Sequence, residues 1–389
     1  MRTETIAQDI LLTVMDAAGN AAVPVLLWGQ PGTGKTSLVR TIAEANDLPF
    51  RAIACSTVDP TDLGGFPVPS PDDNGGVRMQ PRQFAIDLAT AGRGLLFLDE
   101  LSTATPAVQA GMLKICSERF VGEIYLPDAV RIVAAANPAD QAANGFELEP
   151  PSSNRFLHLP YTPSIDDWLT GMTVGWDNVT DKLTATTTTT EARRLKALSK
   201  VTGFIRNRRT LAQAYPSDAS KTGEAWPSLR TWDWLHKVLA YLPDDNSDRS
   251  LECRRVATIG LVGEAAGVEF LTWERTLDLP DPEKVIADPT SVDWKAIRND
   301  RLYAILGAVT AFATEKAMSD PQSGAWNGAL AVMGHAADAN KGDVVMPFLR
   351  NLVTVRKQGN ANVAIDHKVM AKLVPLIRDA GIMSDLRGN

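Results

Sequence analysis

The feature that most constrains the fold is the octet Gly29-Gln30-Pro31-Gly32-Thr33-Gly34-Lys35-Thr36, because of what stands on either side of it. The apolar run Val23 to Trp28 precedes it with the composition of a buried strand, and Ser37 to Ala45 follows with apolar residues at helical spacing. A G-x4-G-K-[ST] spacing between strand and helix predicts a loop whose backbone N–H groups, backed by the helix N-terminus, face phosphate oxygens. The glycines let the backbone curl, Lys35 neutralises the β- and γ-phosphates, and the Thr36 hydroxyl ligates Mg²⁺. Gly29 to Ser37 is thereby the expected nucleotide-binding segment. A glycine-rich turn that happened to contain Lys-Thr would explain neither the spacing nor the flanks.

Short apolar runs recur at Phe50 to Cys55, Leu95 to Leu98, Arg131 to Ala136 and Phe156 to Tyr161, with helix-like stretches between most of them, which predicts a parallel α/β sheet. Residues 4 to 18 read as a helix stopped by Gly19-Asn20. Pro67 to Pro81, rich in Pro, Asp, Asn and Gly, reads as a long surface loop. Thr105-Pro106 reads as an N-cap with proline at the first helical position, opening a helix to about Arg119, and Glu123 to Leu126 is again extended. From residue 165 onward long amphipathic stretches predict helices, broken at Leu242 to Asp248, Leu279 to Pro282 and Ser319 to Pro321. Thr186 to Thr190 reads as a loop leading into a helix at Glu191.

The run Leu95 to Leu98 delivers Asp99 and Glu100 at a strand end, where open α/β sheets bind ligands. Asp99 would hold Mg²⁺ through water, and Glu100 would polarise an attacking water; the plainer alternative is a charge pair at a helix N-terminus. Asn137-Pro138 ends the next run, where an asparagine could orient that water or touch the γ-phosphate, although Asn-Pro alone is a turn signal.

With GQPGTGKTS, LLFLDELSTATPAVQAGMLKICSERFVG, IVAAANPAD and SSNRF in this order, the chain resembles the AAA+ ATPases, and within them the MoxR and dynein-related branch, over about residues 20 to 240. The resemblance implies that Gly29 to Thr36 is Walker A, Asp99-Glu100 is Walker B and Asn137 is sensor 1. It implies that Arg155 is an arginine finger reaching a neighbouring subunit's nucleotide, with Arg119 a weaker alternative. Arg230, at the start of a lid helix, matches sensor 2. The stretch Thr57 to Pro67 and the loop after it occupy the position of the family's pore-facing insert, and Ser56 could restrain Glu100. The expected architecture is an AAA+ α/β domain at 1–164 and a helical lid at 165–245, followed by a helical C-terminal extension at 246–389 in which the chain departs from a minimal member of that branch, in keeping with a prior of about 150 residues per domain for a 389-residue chain. The implied cofactors are ATP and Mg²⁺, and the implied assembly is a homo-oligomeric ring, with a hexamer favoured. The leading expectation is an ATP hydrolase that remodels or activates a protein client, with a separate von Willebrand A domain protein as a candidate partner. The alternatives are a nucleic-acid motor or loader and a non-hydrolysing ATP-gated scaffold.

A net charge of -7 and a pI near 5.3 argue against a dominant basic surface for nucleic acid. The basic stretch 193 to 209 reads as a solvated lid face rather than a nucleic-acid contact. Cys55, Cys116 and Cys253 lack CxxC spacing, so neither a disulfide framework nor a zinc site is expected, and His158, His236, His335 and His367 are assigned to core or surface. The N-terminus lacks a secretory pattern and no 18 apolar residues run together, so the expected location is cytoplasmic, without membrane insertion.

Overall fold

Val25, Leu26, Leu27 and Trp28 form β1, whose two neighbours, β8 (Val130–Ala136) and β9 (Leu157–Pro160), both run parallel to it. In the computed structural model, which describes residues 3–16, 23–70, 75–138, 148–174, 191–218, 221–277, 279–357 and 363–379, β5 (Gly94–Asp99) and β2 (Phe50–Ala54) complete a five-stranded parallel sheet in the order β2-β5-β8-β1-β9. The elements around it are α1 (Thr3–Asp16), α2 (Lys35–Ala45), α3 (Pro60–Gly64), β3 (Phe66–Pro69), β4 (Val77–Gln80), α4 (Gln83–Ala91), α5 (Pro106–Glu118), β6 (Phe120–Val121), β7 (Ile124–Tyr125) and α6 (Pro150–Ser153). The central strands are apolar without alternation because both faces are covered. On one face Leu26, Leu96, Leu98 and Ala134 pack with Leu63 of α3, Leu88 of α4 and Val108, Met112 and Ile115 of α5. Thr105 caps α5 through Val108 N with Pro106 in its first turn, as the sequence predicts.

Within the segment Pro67 to Pro81, read from the sequence as a loop, residues 67–69 and 77–80 are strand. Phe66 pairs with Gln80 and Val68 with Arg78 in an antiparallel hairpin of β3 and β4. Ser70 N donates to Gly76 O, which puts Pro67 and Pro69 at the positions that exchange no ladder hydrogen bonds. Two prolines spaced by two residues therefore leave the pairing intact, while their presence makes the segment read as irregular.

The rest of the described chain is helical: α7 (Ile165–Val174), α8 (Glu191–Asn207), α9 (Leu229–Tyr241), α10 (Asp248–Val262), α11 (Glu264–Thr276), α12 (Pro282–Ala287), α13 (Asn299–Ser319), α14 (Ala325–Asp338), α15 (Gly342–Lys357) and α16 (His367–Asp379). The helix at Glu191 and the three predicted breaks are present. The Thr186 to Thr190 run and the Gly19-Asn20 stop lie outside the described residues.

Two compact units, 1–188 with 213–268 and 189–212 with 269–389, cut across the expected boundaries at 164 and 245. The physical reason lies in α8 and α9. Small residues let α8 press against α13: a Cβ at Gly307 would meet Ser199, and one at Gly203 would meet Asp300 O, at 2.0 and 3.3 Å. The second unit is therefore a helical core of its own, built on Leu302, Leu306, Val309, Met333, Leu349 and Leu352. By contrast, α9 and α10 pack on each other, and α10 packs on β9 and α1, so both belong with the sheet.

Candidate nucleotide site

The phosphate-loop geometry follows from three glycines. Gly29 N donates to Ala136 O at 3.2 Å, and a Cβ on Gly29 would lie 2.5 Å from Tyr161 O, so the loop can leave the sheet here only without a side chain. Gly32 and Gly34 have φ of 78° and 83°, the left-handed region that glycine takes without strain, and a Cβ on either would meet nothing within 4 Å. No side chain caps α2 at Gly34, which leaves its first N–H groups, at the positive end of the helix dipole, for another acceptor. Pro31 and Thr33 form the rim, with Thr33 Oγ1 donating to Gln30 O at 2.8 Å, and Ser37 lies in the first turn of α2.

Lys35 is buried, and its ammonium donates to Gly29 O (2.6 Å), Gln30 O (2.9 Å) and Asn137 Oδ1 (3.0 Å). Burial pulls its pKa below the ordinary lysine range, opposed by the negative charge of Asp99. Thr36 Oγ1 donates to Asp99 Oδ2 at 2.7 Å. Next to Asp99, Glu100 sits in the left-handed region (φ 57°, ψ 41°), an uncommon conformation for a residue with a side chain. Its carboxylate accepts from Ser56 Oγ at 2.6 Å. Asn137 N donates to Ser102 Oγ at 3.2 Å, which fixes the asparagine beyond the end of β8.

This donor set fits a nucleotide with Mg²⁺. Uncapped N–H groups beside a buried ammonium suit a polyphosphate, and a hydroxyl paired with one carboxylate suits a cation that keeps waters and phosphate oxygens as its other ligands. Among the described residues no group of three or more His, Cys, Asp or Glu could hold a metal by itself.

Lys35, Thr36, Asp99, Glu100 and Asn137 are thus brought together at the C-terminal ends of the strands. Arg155 and Arg230 are not with them. Leu157 pairs with Val25 at the start of β1 and Pro160 with Trp28 at its end, so Arg155 lies at the strand-start edge of the sheet, toward the N-terminal ends of the strands, opposite to Gly29 and the phosphate loop at the strand-end edge. The span is on the order of 13 Å for a four-residue strand. Arg155 donates to Pro151 O at 2.5 Å and to Ser117 Oγ, and its pKa is lowered by burial and by the charge of Arg230 nearby. Arg230 follows the N-cap of α9, where Ser228 and Thr231 bond reciprocally, and it leans over the Trp234 ring. Arg119 is a structural residue: it ends α5 at φ 60° and donates to Leu126 O and Pro127 O.

One feature went unread in the sequence, and a second was read only as the apolar residues Val68, Val77 and Met79 of a loop. A cavity of ≈ 560 Å³ adjoins Asn137 and is lined by Trp28, Leu148, His158, Val256 and Ile259 among others. The hairpins β3–β4 and β6–β7 meet where Met79 N donates to Glu123 Oε1 at 2.8 Å, and they leave Phe66, Val77, Met79, Phe120 and Tyr125 exposed. In the basic stretch Arg194 pairs with Glu191, Lys200 with Glu274 and Arg208 with Glu269, while Arg206 lies over the Tyr303 ring.

Residues 24–158 match the family described as ATPase family associated with various cellular activities (AAA). Midasin of Giardia intestinalis is 32% identical over 149 residues, which is 35% of this chain and 3% of that protein. The transcriptional regulatory protein XylR of Pseudomonas putida is 30% identical over 132 residues, 32% of this chain and 23% of that one. The chain therefore spans only a small part of the length of either relative. A solved structure of a candidate ATPase from Cytophaga hutchinsonii aligns with a TM-score of 0.37 and 16% identity over 69% of this chain and 85% of that one. The residues matched, 24–158, are those that carry the phosphate loop and the five-stranded sheet up to His158 of β9, and no helix among the described residues is long and apolar enough to cross a membrane.

Proposed function

We propose that this chain hydrolyses Mg-ATP in a ring of its own copies and uses the cycle to remodel a protein client. The observation that carries this reading is the division of the chemistry between two edges of one sheet. Lys35, Thr36, Asp99, Glu100 and Asn137 gather at the strand C-termini, and Arg155 with Arg230 gathers at the other edge. Transferring a phosphoryl group is favoured by a cation on the charge that develops at the γ-phosphate. Here the two arginines that would supply it are about a strand length from the chain's own phosphate loop, so a neighbouring copy would bring them in.

When bound, Mg²⁺ and ATP supply the electrophilic phosphoryl group and its charge neutralisation. Lys35 would exchange its carbonyl partners for phosphate oxygens, Thr36 and Asp99 would hold the cation, Asn137 would place the attacking water and Glu100 would accept its proton. The exposed apolar side chains of the paired hairpins would grip the client.

The test is ATP turnover per subunit against protein concentration, alongside sedimentation. Turnover that rises with assembly supports the ring. Full turnover by monomers at nanomolar concentration rejects it.

A further inference from the structure

His158 links the two edges of the sheet. Trp28, the residue before Gly29, donates its Nε1–H to His158 Nδ1 at 2.9 Å, and the two rings stack. With Nδ1 accepting, the imidazole is neutral and its Nε2–H donates to Ser153 O at 2.8 Å. From there a buried polar chain continues. Trp226 Nε1 donates to Ser153 Oγ (3.2 Å), Asn154 Nδ2 donates to Trp226 O (2.9 Å), and Ser228 Oγ donates to Asn154 Oδ1 (2.7 Å). Ser228 is the N-cap of α9. Arg155 is the next residue after Asn154, and Arg230 is two beyond Ser228, so both arginines hang from this chain.

Resting on the trans-arginine reading above, we infer that His158 is a positioning residue: through Ser153 it sets the placement of the Arg155 that this subunit presents to its neighbour. An apolar side chain of similar size would fill the same space, but it would leave the Trp28 N–H and the Ser153 carbonyl without these bonds. Buried networks of this kind fix one arrangement of the segments they join. The same imidazole also touches the residue that enters the phosphate loop.

The test uses mixed rings of full-length chains. Acceptor subunits carry Arg155→Ala and keep an intact nucleotide edge; donor subunits carry Glu100→Gln and keep Arg155. Turnover in the mixture reports Arg155 of a donor acting on an acceptor's nucleotide. His158→Phe placed in donors should lower that turnover at least tenfold, and placed in acceptors it should change turnover and the KM for ATP less than twofold. His158→Gln, which can both accept from Trp28 and donate to Ser153, should restore the donor. Trp28→Phe in donors, which deletes the same bond while leaving the histidine, should reproduce the loss and covers the case in which His158→Phe does not fold. Equal losses in both arms would mean a structural role and overturn the inference, as would an unaffected donor arm. No turnover in the mixture lacking any His158 change would overturn the trans reading itself, and the inference with it.

Discussion

Lys35 Nζ lies 3.0 Å from Asn137 Oδ1 and also bonds the carbonyls of Gly29 and Gln30, so the ammonium is held by three oxygens of its own chain. A phosphate competes for a cation already placed and desolvated. Lys35→Ala should weaken ATP binding by roughly 10- to 100-fold, the worth of one or more charge-assisted hydrogen bonds. Titration with a fluorescent ATP analogue checks this. Wild-type affinity in the variant would remove the phosphate-loop assignment.

Glu100 is held by Ser56 in a left-handed backbone conformation. Glu100→Gln should bind ATP with near-normal affinity but turn over about 100-fold slower or worse, the scale of a lost general base. Ser56→Ala releases the carboxylate and should raise basal turnover a few-fold. A Ser56→Ala rate equal to wild type would mean that the bond does not restrain Glu100.

Because Arg155 and Arg230 share the edge remote from Lys35, their removal should leave ATP affinity unchanged while lowering turnover. For Arg155→Ala the expected loss is on the order of 1000-fold, typical of a trans-acting arginine. Arg230→Ala decides whether the second arginine shares that work: a loss of turnover without a change in affinity says that it does. Weakened nucleotide binding would instead place Arg230 over its own site.

The five strands of the sheet were legible because each is a short apolar run ended by polar or glycine-rich residues, and a run buried on both faces needs no alternation to be seen. Lys35 and Thr36 were legible from the spacing of the glycine-rich octet between strand and helix, and Asp99, Glu100 and Asn137 because each stands at a strand end in fixed order. The β3–β4 hairpin was hidden by Pro67 and Pro69, whose harmlessness depends on a register that only pairing reveals. His158 was hidden because its partners, Trp28 and Ser153, are 130 and 5 residues away, and no local spacing marks such a triad. The division into units was hidden for a similar reason: α8 joins α13 through Ser199, Gly203 and Gly307, small residues that carry no periodic signal.

Gly260 sits within α10, where alanine would ordinarily stabilise a helix by up to about 1 kcal/mol. Here a Cβ would come 2.1 Å from His158 O, on the backbone of the edge strand. The sign should therefore reverse, with Gly260→Ala destabilising the sheet-bearing unit by roughly 1–3 kcal/mol through overpacking. Urea unfolding followed by tryptophan fluorescence measures it, and a stabilised variant would show that α10 does not press on β9.

His158 also sets a pH dependence. Burial lowers its pKa to about 4, against an ordinary 6.5, with the Ser153 carbonyl opposing the shift. The folded chain therefore refuses a proton that the unfolded chain accepts. Stability is whole above about pH 6.5 and falls as the pH drops toward 4, since the unfolded state binds more protons across that window. At pH 5 the loss should reach about 2 kcal/mol, from the difference between the two titrations. His158→Gln has no such group, so its unfolding midpoint should fall less between pH 7.5 and pH 5 than that of the parent. Parallel midpoints for the two proteins would mean that the imidazole is already open to protonation in the folded chain, and that the bond to Trp28 is not maintained.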